Sequence, residues 1–481
     1  DRVKNIGKFK RFKQRFKGKK HIEGLLESIG YTGVVTYTKH HLSHLAFAYY
    51  TSPFDKAIGI SIDGVGEQET MLATYINKNG FQHIKHLDFP HSLGLVYSAL
   101  TAYLGFRPNE GEYKVMGLAP YGNPTIYEKT LDKISSLGGH ELFEINQKYF
   151  TFRTSEDDMF NNKLIDLIGF PPRFSDEPIE QHHKDLAASI QQWYERNFYF
   201  IINRVLCTRN SENLVLSGGC AYNGTANGKI KQHTSIKNVW IPFAPSDAGS
   251  AIGACLYQYH NLLGYPKVKG GDNQSPYLGP DFHISYMVTL IEKNFSEDTK
   301  IEYFEDDELV KKVASLIKDG SIVGWFQGRT EFGARALGNR SILGNPYIAD
   351  IKDRVNKVIK KREGFRPFAP SVTHEDYTKY FKSEEDVPYM NQIVQVISET
   401  PIPSVTHVDN SARIQTVTKE QNPLYHSLLK AFEEITGTPI LLNTSFNLKD
   451  KTMANSPEDA IWTFENCDMD YLVLGNFLIS K

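Results

Sequence analysis

Two spacings of apolar residues alternate along this chain, one typical of strands and one typical of helices. Compact apolar runs at Ala57–Ile62 and Asn213–Leu216 predict buried strands. Alternating residues in Met71–Ile76 and Phe81–Leu87, on either side of Asn79-Gly80, predict a hairpin. The other predicted elements are strands at Val34–Thr38, 321–326 and 439–443, and helices at His40–Tyr50, Ser92–Leu104, Leu186–Ile202, Gly249–Tyr259, 307–318 and 457–465. Because strands and helices alternate, we expect an α/β fold.

The segment 264–282 (GYPKVKGGDNQSPYLGPDF) is rich in glycine, proline and polar residues, a composition typical of a linker. A chain of 481 residues is also too long for one hydrophobic core. We therefore expect two domains, residues 1–282 and 283–481.

The bulk composition is that of an ordinary globular protein, with 40% hydrophobic and 23% charged residues. No apolar run reaches the length of about 18 residues that a membrane span requires, so no membrane partner is expected. The four cysteines form no CxxC pair, which favours a reducing cytoplasm over a disulfide framework or a structural zinc. The expected location is therefore cytoplasmic.

Charge is spread unevenly, although the formal net charge is only −2. Residues 1–20 hold ten Lys or Arg and one Asp, which leaves 44 basic and 55 acidic residues in the remainder. Phe9, Phe12 and Phe16 in this segment have the i, i+3, i+7 spacing of a helix. An RNA-binding or membrane-surface arm is one interpretation. We favour an amphipathic helix that packs its phenylalanines, because solvated charged faces are common.

The segment HHLSH lies on a predicted helix and brings two histidines together. His40 and His44 are four residues apart, so both imidazoles lie on one face, close enough to share a metal ion. Asp63 ends a buried strand in SIDGVGE, and Asp247 stands in PSDAGSAIGA. A structural histidine pair and turn-stabilising aspartates are the alternatives. As metal ligands the four side chains would suit iron, manganese or zinc.

Three glycine-rich loops lie in the first predicted domain: DGVGE, LSGGCAYNG and PSDAGSAIG. Backbone N–H groups in such loops can cradle a phosphate, and the missing side chains let a nucleotide approach closely. Each loop alone is equally well explained as an ordinary connection after a strand. Together the three favour a nucleotide site.

The second predicted domain is rich in arginines that are separated by glycine, asparagine and serine. This pattern is more typical of a phosphate or carboxylate site than of a solvated helix face. Ordinary exposed arginines are the alternative. The cationic residues are Arg329, Arg335, Arg340, Lys360, Lys361, Arg362, Arg366 and Arg413, and the segment PILLNTSFN adds Asn443, Thr444, Ser445 and Asn447.

A series of motifs resembles, in order, the O-carbamoyltransferases of nodulation-factor and antibiotic biosynthesis. The motifs are HHLSHLAFAYY, SIDGVGE, EGEYKVMGLAPYG, SGGCAYN, PSDAGSAIGA, FGARALGNRSIL, KREGFRPFAPSV, SARIQTV and LLNTSFN. The resemblance runs from residue 31 to the C-terminus. A looser resemblance covers hydrogenase-maturation carbamoyltransferases and the tRNA threonylcarbamoyl-transfer enzymes.

The resemblance implies an actin-like (duplicated ribonuclease-H-like) first domain and a YrdC-like α/β second domain. It assigns metal binding and catalysis to His40, His44, Asp63 and Asp247, with iron expected and zinc or manganese as alternatives. It assigns nucleotide binding to Gly64, Gly66, Lys114, Gly218, Gly219, Asn223 and Gly249. It assigns binding of carbamoyl phosphate and ATP to Arg329, Lys361, Arg366, Arg413 and Ser445.

The function implied by the resemblance is ATP-dependent O-carbamoyl transfer. Carbamoyl phosphate and ATP, with Mg, would form carbamoyladenylate in the second domain. A hydroxyl of a small natural product or sugar would then accept the carbamoyl group at the metal site. The family's N-terminal strands, which carry a first phosphate loop and a histidine-bearing motif, have no counterpart here, so we expect a truncated chain. A homo-oligomer is left open.

Two alternatives remain, the second of them of another class. A tRNA threonylcarbamoyl transferase would need a basic face on the first domain, which the acidic balance after residue 20 disfavours, and no nucleic-acid partner is expected. A non-catalytic nucleotide-binding regulatory module would not need the four candidate metal ligands, all of which are present.

Overall fold

A computed structural model describes residues 18–139, 142–155, 158–268 and 274–481. The described residues form two compact units. The first consists of residues 18–222 and 230–268, and the second of residues 223–229 and 274–481. The units divide within the segment 264–282, and no pattern in the sequence indicates that 223–229 belongs to the second unit.

The first unit combines a five-stranded sheet with the helices that cover it. The strands of this unit are β1 (Ala57–Gly66), β2 (Glu69–Asn77), β3 (Gly80–Asp88), β4 (Ser135–Leu137), β5 (Phe143–Ile145), β6 (Asn213–Ser217) and β7 (Asn238–Trp240). Of these, β4 and β5 form a separate two-stranded sheet. The helices of the chain up to residue 256 are α1 (18–28), α2 (His40–Thr51), α3 (Leu93–Tyr103), α4 (Glu112–Leu118), α5 (Glu128–Leu131), α6 (Asn162–Ile168), α7 (Gln181–Thr208), α8 (Gly224–Asn227), α9 (Ile230–His233) and α10 (Asp247–Leu256). Of these, α8 belongs to the second unit. A π-helical turn at Tyr257–Leu262 continues α10.

The main sheet of the first unit has the strand order β3-β2-β1-β6-β7. Antiparallel pairing of β1 with β2 and of β2 with β3 confirms the predicted hairpin. In contrast, β6 runs parallel to β1, and β7 runs parallel to β6. The carboxyl ends of β1 and β6 therefore meet at one edge of the sheet, where ligands of open α/β sheets commonly bind.

Helix α2 is buried along most of its length against this sheet. Leu45, Ala48 and Tyr49 of the helix belong to the same core cluster as Leu72 of β2 and Val215 of β6. A helix buried on nearly all sides loses the usual apolar–polar periodicity. Here that burial fixes the position of the two histidines at the start of α2.

The predicted strand at Val34–Thr38 is wrong, since these residues form no strand. Val34 is 86% exposed. Tyr37 instead contacts two residues of α1. The centroid of its ring lies 4.2 Å from Nζ of Lys19, and its hydroxyl donates to the Glu23 carboxylate at 3.0 Å. β-branched and aromatic residues favour a strand only where a neighbouring strand pairs with them, and this segment contacts a helix instead.

The phenylalanines of the basic segment, Phe9, Phe12 and Phe16, lie outside the described residues, so the amphipathic helix proposed there stays a prediction. The described helix α1 follows, and Ile22 and Leu25 in it and Ile29 just after it are exposed. Within the described ranges, no helix is both long and apolar enough to cross a membrane.

The second unit is built on an eight-stranded mixed sheet. The strands of this unit, in both of its sheets, are β8 (Ile301–Tyr303), β9 (Val323–Phe326), β10 (Arg340–Gly344), β11 (Ala369–Thr373), β12 (Phe381–Lys382), β13 (Ile393–Val396), β14 (Ser411–Arg413), β15 (Gln415–Val417), β16 (Ile440–Ser445), β17 (Tyr471–Leu474) and β18 (Phe477–Ser480). Its further helices are α11 (Ile284–Asn294), α12 (Asp306–Lys318), α13 (Ala349–Arg354), continued by a π-helical turn at Val355–Ile359, α14 (Tyr377–Tyr380), α15 (Pro423–Thr436) and α16 (Pro457–Glu465).

The large sheet has the order β15-β11-β16-β10-β9-β17-β18-β8, and β12, β13 and β14 form a separate sheet. Side chains of the large sheet alternate between two cores, as the pleat requires. Leu441 of β16 faces the core formed with α12 and α15, whereas Leu442 faces the core formed with α11 and α16. The predicted α/β class is confirmed, and the actin-like and YrdC-like assignments stay predictions.

Candidate functional site

Helix α2 presents His40 and His44 one turn apart. Their Nε2 atoms are 3.1 Å apart, and their ring centroids are 4.6 Å apart. Two imidazole nitrogens that face each other at this distance need a shared proton or a shared cation between them. The pair is therefore arranged as metal ligands would be.

Two carboxylates from different elements complete the group. Asp63 lies near the carboxyl end of β1, and Asp247 is the first residue of α10. Asp63 Oδ2 is 3.2 Å from His44 Nε2 and 3.5 Å from His40 Nε2. Asp247 Oδ1 is 3.3 Å from His44 Nε2 and 3.7 Å from His40 Nε2. The four ligand atoms all lie within 4.8 Å of one another.

Glycines let the three elements approach closely enough to form this group. A side chain at Gly253 would overlap the backbone oxygen of Ser43, and one at Gly249 would overlap the ring of Phe47, so α10 lies directly against α2. A side chain at Gly66 would overlap the ring of His40. Gly249, expected to approach a nucleotide, thus serves helix packing in this structure.

The carboxylates and imidazoles shift one another's pKa. Burial tends to lower the pKa of His44, but its hydrogen bonds to Asp247 and Asp63 outweigh burial and leave it raised. Burial tends to raise the pKa of Asp63, but hydrogen bonds to His40 and His44 bring it far below its usual range. The pKa of Asp247 is lowered, first of all by its hydrogen bond to His44. Both carboxylates are therefore ionised at neutral pH, as metal binding requires.

The donor set fits a divalent transition metal. Ligand bonds of roughly 2.0–2.2 Å place neighbouring ligand atoms roughly 3.0–3.6 Å apart. The two nitrogens are 3.1 Å apart and lie 3.2–3.7 Å from the carboxylate oxygens, close to this spacing. Two imidazoles with two carboxylates suit iron, manganese or zinc. Across the ranges that the structure describes, no second cluster of three or more such ligands occurs.

His41, between the two candidate ligands, makes other contacts. Its Nδ1 lies 2.8 Å from Ser61 Oγ of β1, and its Nε2 lies 3.1 Å from the backbone oxygen of Glu69 in β2. Burial is the main cause that lowers the pKa of His41 to about 4. The neutral ring thus ties α2 to the sheet. Sequence reasoning gave it no role, and the double histidine in HHLSH was the only signal for it.

The loop after β6 borders Asp63. Gly218 has a φ of +87°, and a side chain there would overlap the backbone oxygen of Ile62. A Cβ at Gly219 would lie 2.9 Å from Asp63 Oδ1, which also accepts a 2.8 Å hydrogen bond from the backbone N–H of Gly64. The structure therefore brings Gly64, Gly66, Gly218 and Gly219 to the metal-type cluster. Their contact with a nucleotide stays a prediction.

Two other residues expected to bind a nucleotide have different surroundings. Asn223 belongs to the second unit, where its Oδ1 accepts from the backbone N–H of Ala226 at 3.1 Å and caps α8. Nζ of Lys114 lies 5.5 Å from the ring centroid of Phe106. Neither residue is among the four that form the metal-type cluster, and both assignments stay predictions.

In the second unit, four arginines converge near the end of β14. Burial, followed by the charges of Arg335, Arg362 and Arg366, holds the pKa of Arg413 well below its usual value. The Arg413 Nε atom is buried and has no hydrogen-bond partner within the described part of the chain. Crowded like charges with an unsatisfied donor indicate a site that is built for an anion.

Lys360, rather than Lys361, reaches Ser445. Its Nζ donates to the backbone oxygen of Ser445, to Ser445 Oγ at 3.3 Å and to Asn447 Oδ1 at 2.6 Å. Burial, with the charges of Arg362 and Arg366, holds the pKa of Lys360 well below its usual value. Lys361 is exposed and has a φ of +45°. Which of two adjacent lysines turns inward depends on this local backbone and not on residue type.

Arg329 is not among the charges that act on Arg413. It is exposed, and its guanidinium donates to the backbone oxygens of Gly279 and Leu278 at 2.9 and 3.1 Å. Among the residues expected to hold carbamoyl phosphate and ATP, the structure therefore groups Arg366 and Arg413, and joins Ser445 to Lys360. It adds Arg335 and Arg362, which the sequence marked as cationic without a specific role. The binding roles of Arg329 and Lys361 stay predictions.

Comparison with known proteins gives the family. Residues 8–256 match the family model described as Carbamoyltransferase N-terminus, and residues 314–481 match Carbamoyltransferase C-terminus. The chain therefore belongs to the carbamoyltransferase family. It is accordingly an enzyme and not a non-catalytic nucleotide-binding module.

Three relatives illustrate the range of similarity. An uncharacterised protein of Synechocystis is 42% identical over 469 residues, covering 92% of this chain and 76% of its own length. Nodulation protein NolNO of Sinorhizobium fredii is 36% identical over 456 residues, covering 93% of this chain and 64% of its own. The 3'-hydroxymethylcephem-O-carbamoyltransferase of Amycolatopsis lactamdurans is 36% identical over 263 residues, covering 55% and 48%. Among solved structures, HypF of T. kodakarensis aligns with a TM-score of 0.28 and 16% identity over 50% of this chain and 39% of that one.

Proposed function

We propose that this protein is an ATP-dependent O-carbamoyltransferase that works through carbamoyladenylate and carbamoylates a hydroxyl of a small molecule. The observation that carries the proposal is the cluster of His40, His44, Asp63 and Asp247 in the part of the chain that matches the family's N-terminal model. A cationic cluster, formed by Arg335, Arg362, Arg366 and Arg413, lies in the part that matches the C-terminal model and supports adenylate formation there.

The second unit carries out adenylate formation in this proposal. Water releases carbamate and inorganic phosphate from carbamoyl phosphate. A carbamate oxygen then attacks the α-phosphorus of Mg-bound ATP, and pyrophosphate leaves, so that carbamoyladenylate forms. Each of these species is an anion, and the guanidiniums of Arg335, Arg366 and Arg413 would neutralise charge where it accumulates.

The first unit carries out the transfer. The acceptor hydroxyl attacks the carbamoyl carbon, AMP leaves with the electron pair of the broken C–O bond, and the hydroxyl proton passes to solvent. A divalent metal bound by His40, His44, Asp63 and Asp247 would supply Lewis-acid stabilisation and an anchor for phosphate oxygens. Gly64 and Gly219 beside Asp63 leave room for the phosphate of the adenylate to approach the backbone.

The class of acceptor is inferred from relatives. The name of the cephem carbamoyltransferase specifies its acceptor, a hydroxymethyl group on a small molecule. In this chain one candidate ligand of the metal site, Asp247, is largely exposed to solvent, where a small acceptor could reach it. We therefore propose a small alcohol, natural product or sugar as the acceptor.

The test is ATP–pyrophosphate exchange that depends on carbamoyl phosphate, measured with the whole gene product. We expect exchange without any acceptor and release of AMP only when a hydroxyl acceptor is added. A protein with its metal site filled that shows no exchange dependent on carbamoyl phosphate would refute the proposal.

A further inference from the structure

One buried amide lies at the centre of the segment that carries Lys360 and Arg366. Asn356, in the π-helical turn after α13, is 0% exposed. Its Oδ1 accepts a 2.7 Å hydrogen bond from Arg362 Nε, and its Nδ2 donates to the backbone oxygen of Arg366 at 3.2 Å. Its own backbone oxygen accepts from the backbone N–H of Arg362 at 3.0 Å. One residue therefore fixes the segment at two points that are four residues apart.

The π-helical turn sets the direction in which this segment leaves α13. The backbone N–H of Lys360 donates to the oxygen of Val355, five residues earlier, at 2.8 Å. An extra residue in a turn rotates the following side chains by about 100° compared with a continued α-helix. Lys360 thus leaves the helix buried, on Ser445 and Asn447, while Lys361 is exposed.

The segment needs a restraint because its cations repel one another. Arg362 and Arg366 both act on Arg413 and on Lys360, and both disfavour the charged forms of those side chains. The Glu363 carboxylate, 3.6 Å from Arg366 Nη1, offsets part of this repulsion. Without a bound anion, the remainder favours side chains that swing apart into water. A buried neutral amide bonded at two points opposes that movement. Unlike a carboxylate, it adds no negative charge that would compete with an anion for Arg362.

We propose that Asn356 is a positioning residue, which holds the segment 360–366 in the shape that receives the phosphate of carbamoyl phosphate before that anion binds. This inference rests on the proposed function and deepens it. Asn356 itself touches no substrate and acts through Arg362 and Arg366. It is a means of preorganisation, because the cost of gathering the cations is met during folding and not during binding.

The chain offers a matched control in Asn345. It is also buried, its Nδ2 donates to the backbone oxygen of Lys318 at 3.0 Å, and its Oδ1 accepts from the backbone N–H of Tyr347 at 2.9 Å. Asn345→Ala therefore removes the same kinds of contact from the same unit and leaves the segment 360–366 untouched. Its effect on thermal stability sets the scale for a purely structural loss.

The experiment compares wild type, Asn356→Ala, Asn356→Asp and Asn345→Ala as full chains. It measures calorimetric affinity for inorganic phosphate, KM for carbamoyl phosphate and kcat in pyrophosphate exchange, and Tm. We expect both Asn356 variants to weaken phosphate binding and raise KM by about tenfold or more, since misplacing binding groups by an ångström has effects of this size. Asn345→Ala should lower Tm and leave KM within about twofold of wild type.

We expect Asn356→Asp to fold, because aspartate has the same shape as asparagine and still accepts the hydrogen bond from Arg362. It replaces the donor to Arg366 with a negative charge, so phosphate affinity should fall at least as far as in Asn356→Ala. The inference is overturned if both Asn356 variants bind phosphate and carbamoyl phosphate as wild type does, whatever their Tm. If wild type itself binds neither anion, the proposed function fails, and the role of Asn356 fails with it.

Discussion

Asp247 places its Oδ1 atom 3.3 Å from Nε2 of His44, although the Asp247 side chain is 78% exposed and the His44 side chain only 1%. The metal-type cluster therefore has a closed side, formed by the core around α2, and an open side at the start of α10. A metal bound here would keep positions facing solvent, which is the arrangement of a catalytic rather than a structural site. Substrate would enter beside Asp247.

Removing the most buried ligand should abolish the metal site. His44→Ala deletes an imidazole that faces His40, Asp63 and Asp247 at once. We expect metal affinity to fall by at least tenfold, about the size of effect seen even for residues that only support a ligand. His83→Ala, at an exposed histidine of β3, is the control. Elemental analysis after dialysis checks this, and equal metal content in His44→Ala and the control would refute the assignment.

Close packing of α10 on α2 should be needed for the same site. Gly253→Ala puts a Cβ into the backbone oxygen of Ser43. We expect a loss of stability of about 1–3 kcal/mol from overpacking and weaker metal binding, because α10 carries Asp247. Gly24→Ala in α1, where a Cβ meets nothing within 4 Å, should change neither property. Chemical denaturation and metal titration measure both. Wild-type behaviour of Gly253→Ala would show that the helices do not pack this closely.

Acid should destabilise the metal-free protein partly through His183. Its Nδ1 accepts the backbone N–H of Glu180 at 3.0 Å, and burial, followed by the charges of His182 and Arg173, lowers its pKa to about 4. Between that value and about 6.5, the pKa of an unfolded histidine, the unfolded chain binds a proton that the folded chain does not. Stability should therefore fall as pH drops from 6.5 to 4.

The substitution His183→Asn removes the imidazole that titrates in this pH range and keeps a hydrogen-bond acceptor at the position. Its Tm in a chelating buffer should depend less on pH between 6.5 and 4 than that of wild type. His21→Asn, at an exposed histidine, serves as the control. A steeper dependence in His183→Asn than in wild type would contradict the assigned direction of the shift.

Two substitutions should separate the arginines of the second unit. Arg335 lies close enough to affect the charge of Arg413, whereas Arg329 donates to the backbone oxygens of residues 278 and 279. Loss of a charge-assisted contact typically costs about 1.5–3 kcal/mol, so Arg335→Ala should weaken binding of carbamoyl phosphate by roughly ten- to a hundredfold. Arg329→Ala should stay near wild type. A larger effect for Arg329→Ala, measured by calorimetry with folding intact, would reverse this assignment.

Local pattern was enough to predict the elements whose residues repeat at a fixed spacing. The hairpin around Asn79-Gly80 and the helix with His40 and His44 formed as expected, because turn chemistry and helical spacing act within a few residues. Val34–Thr38 failed because a strand needs a partner that no local pattern supplies. Asp63 follows a buried apolar run and Asp247 stands beside glycines, and these local signals marked both as candidates, although Asp247 begins helix α10 and does not end a strand.

The inward direction of individual cations could not be predicted. Lys360 rather than Lys361 contacts Ser445, and Arg335 rather than Arg329 joins Arg413, since a π-helical turn and long loops decide these orientations. The proposed role of Asn356 could not be predicted from the sequence either, because it depends on contacts with residues six and ten positions further along the chain. The assignment of 223–229 to the second unit likewise depends on tertiary contacts, such as Asn227 Nδ2 with the backbone oxygen of Asn391 at 2.8 Å.

The central claim is that adenylate formation and carbamoyl transfer use different clusters in different units. Two variants test it, Asp247→Asn in the metal-type cluster and Arg413→Ala in the cationic cluster. Each is assayed for pyrophosphate exchange that depends on carbamoyl phosphate, beside carbamoylation of a hydroxyl acceptor, with the whole gene product. Asp247→Asn should retain exchange and lose transfer, because the arginines are intact and one metal ligand is weakened. Arg413→Ala should lose both activities. If Asp247→Asn loses exchange as completely as Arg413→Ala does, the chemistry is not divided between two sites, and the account is wrong.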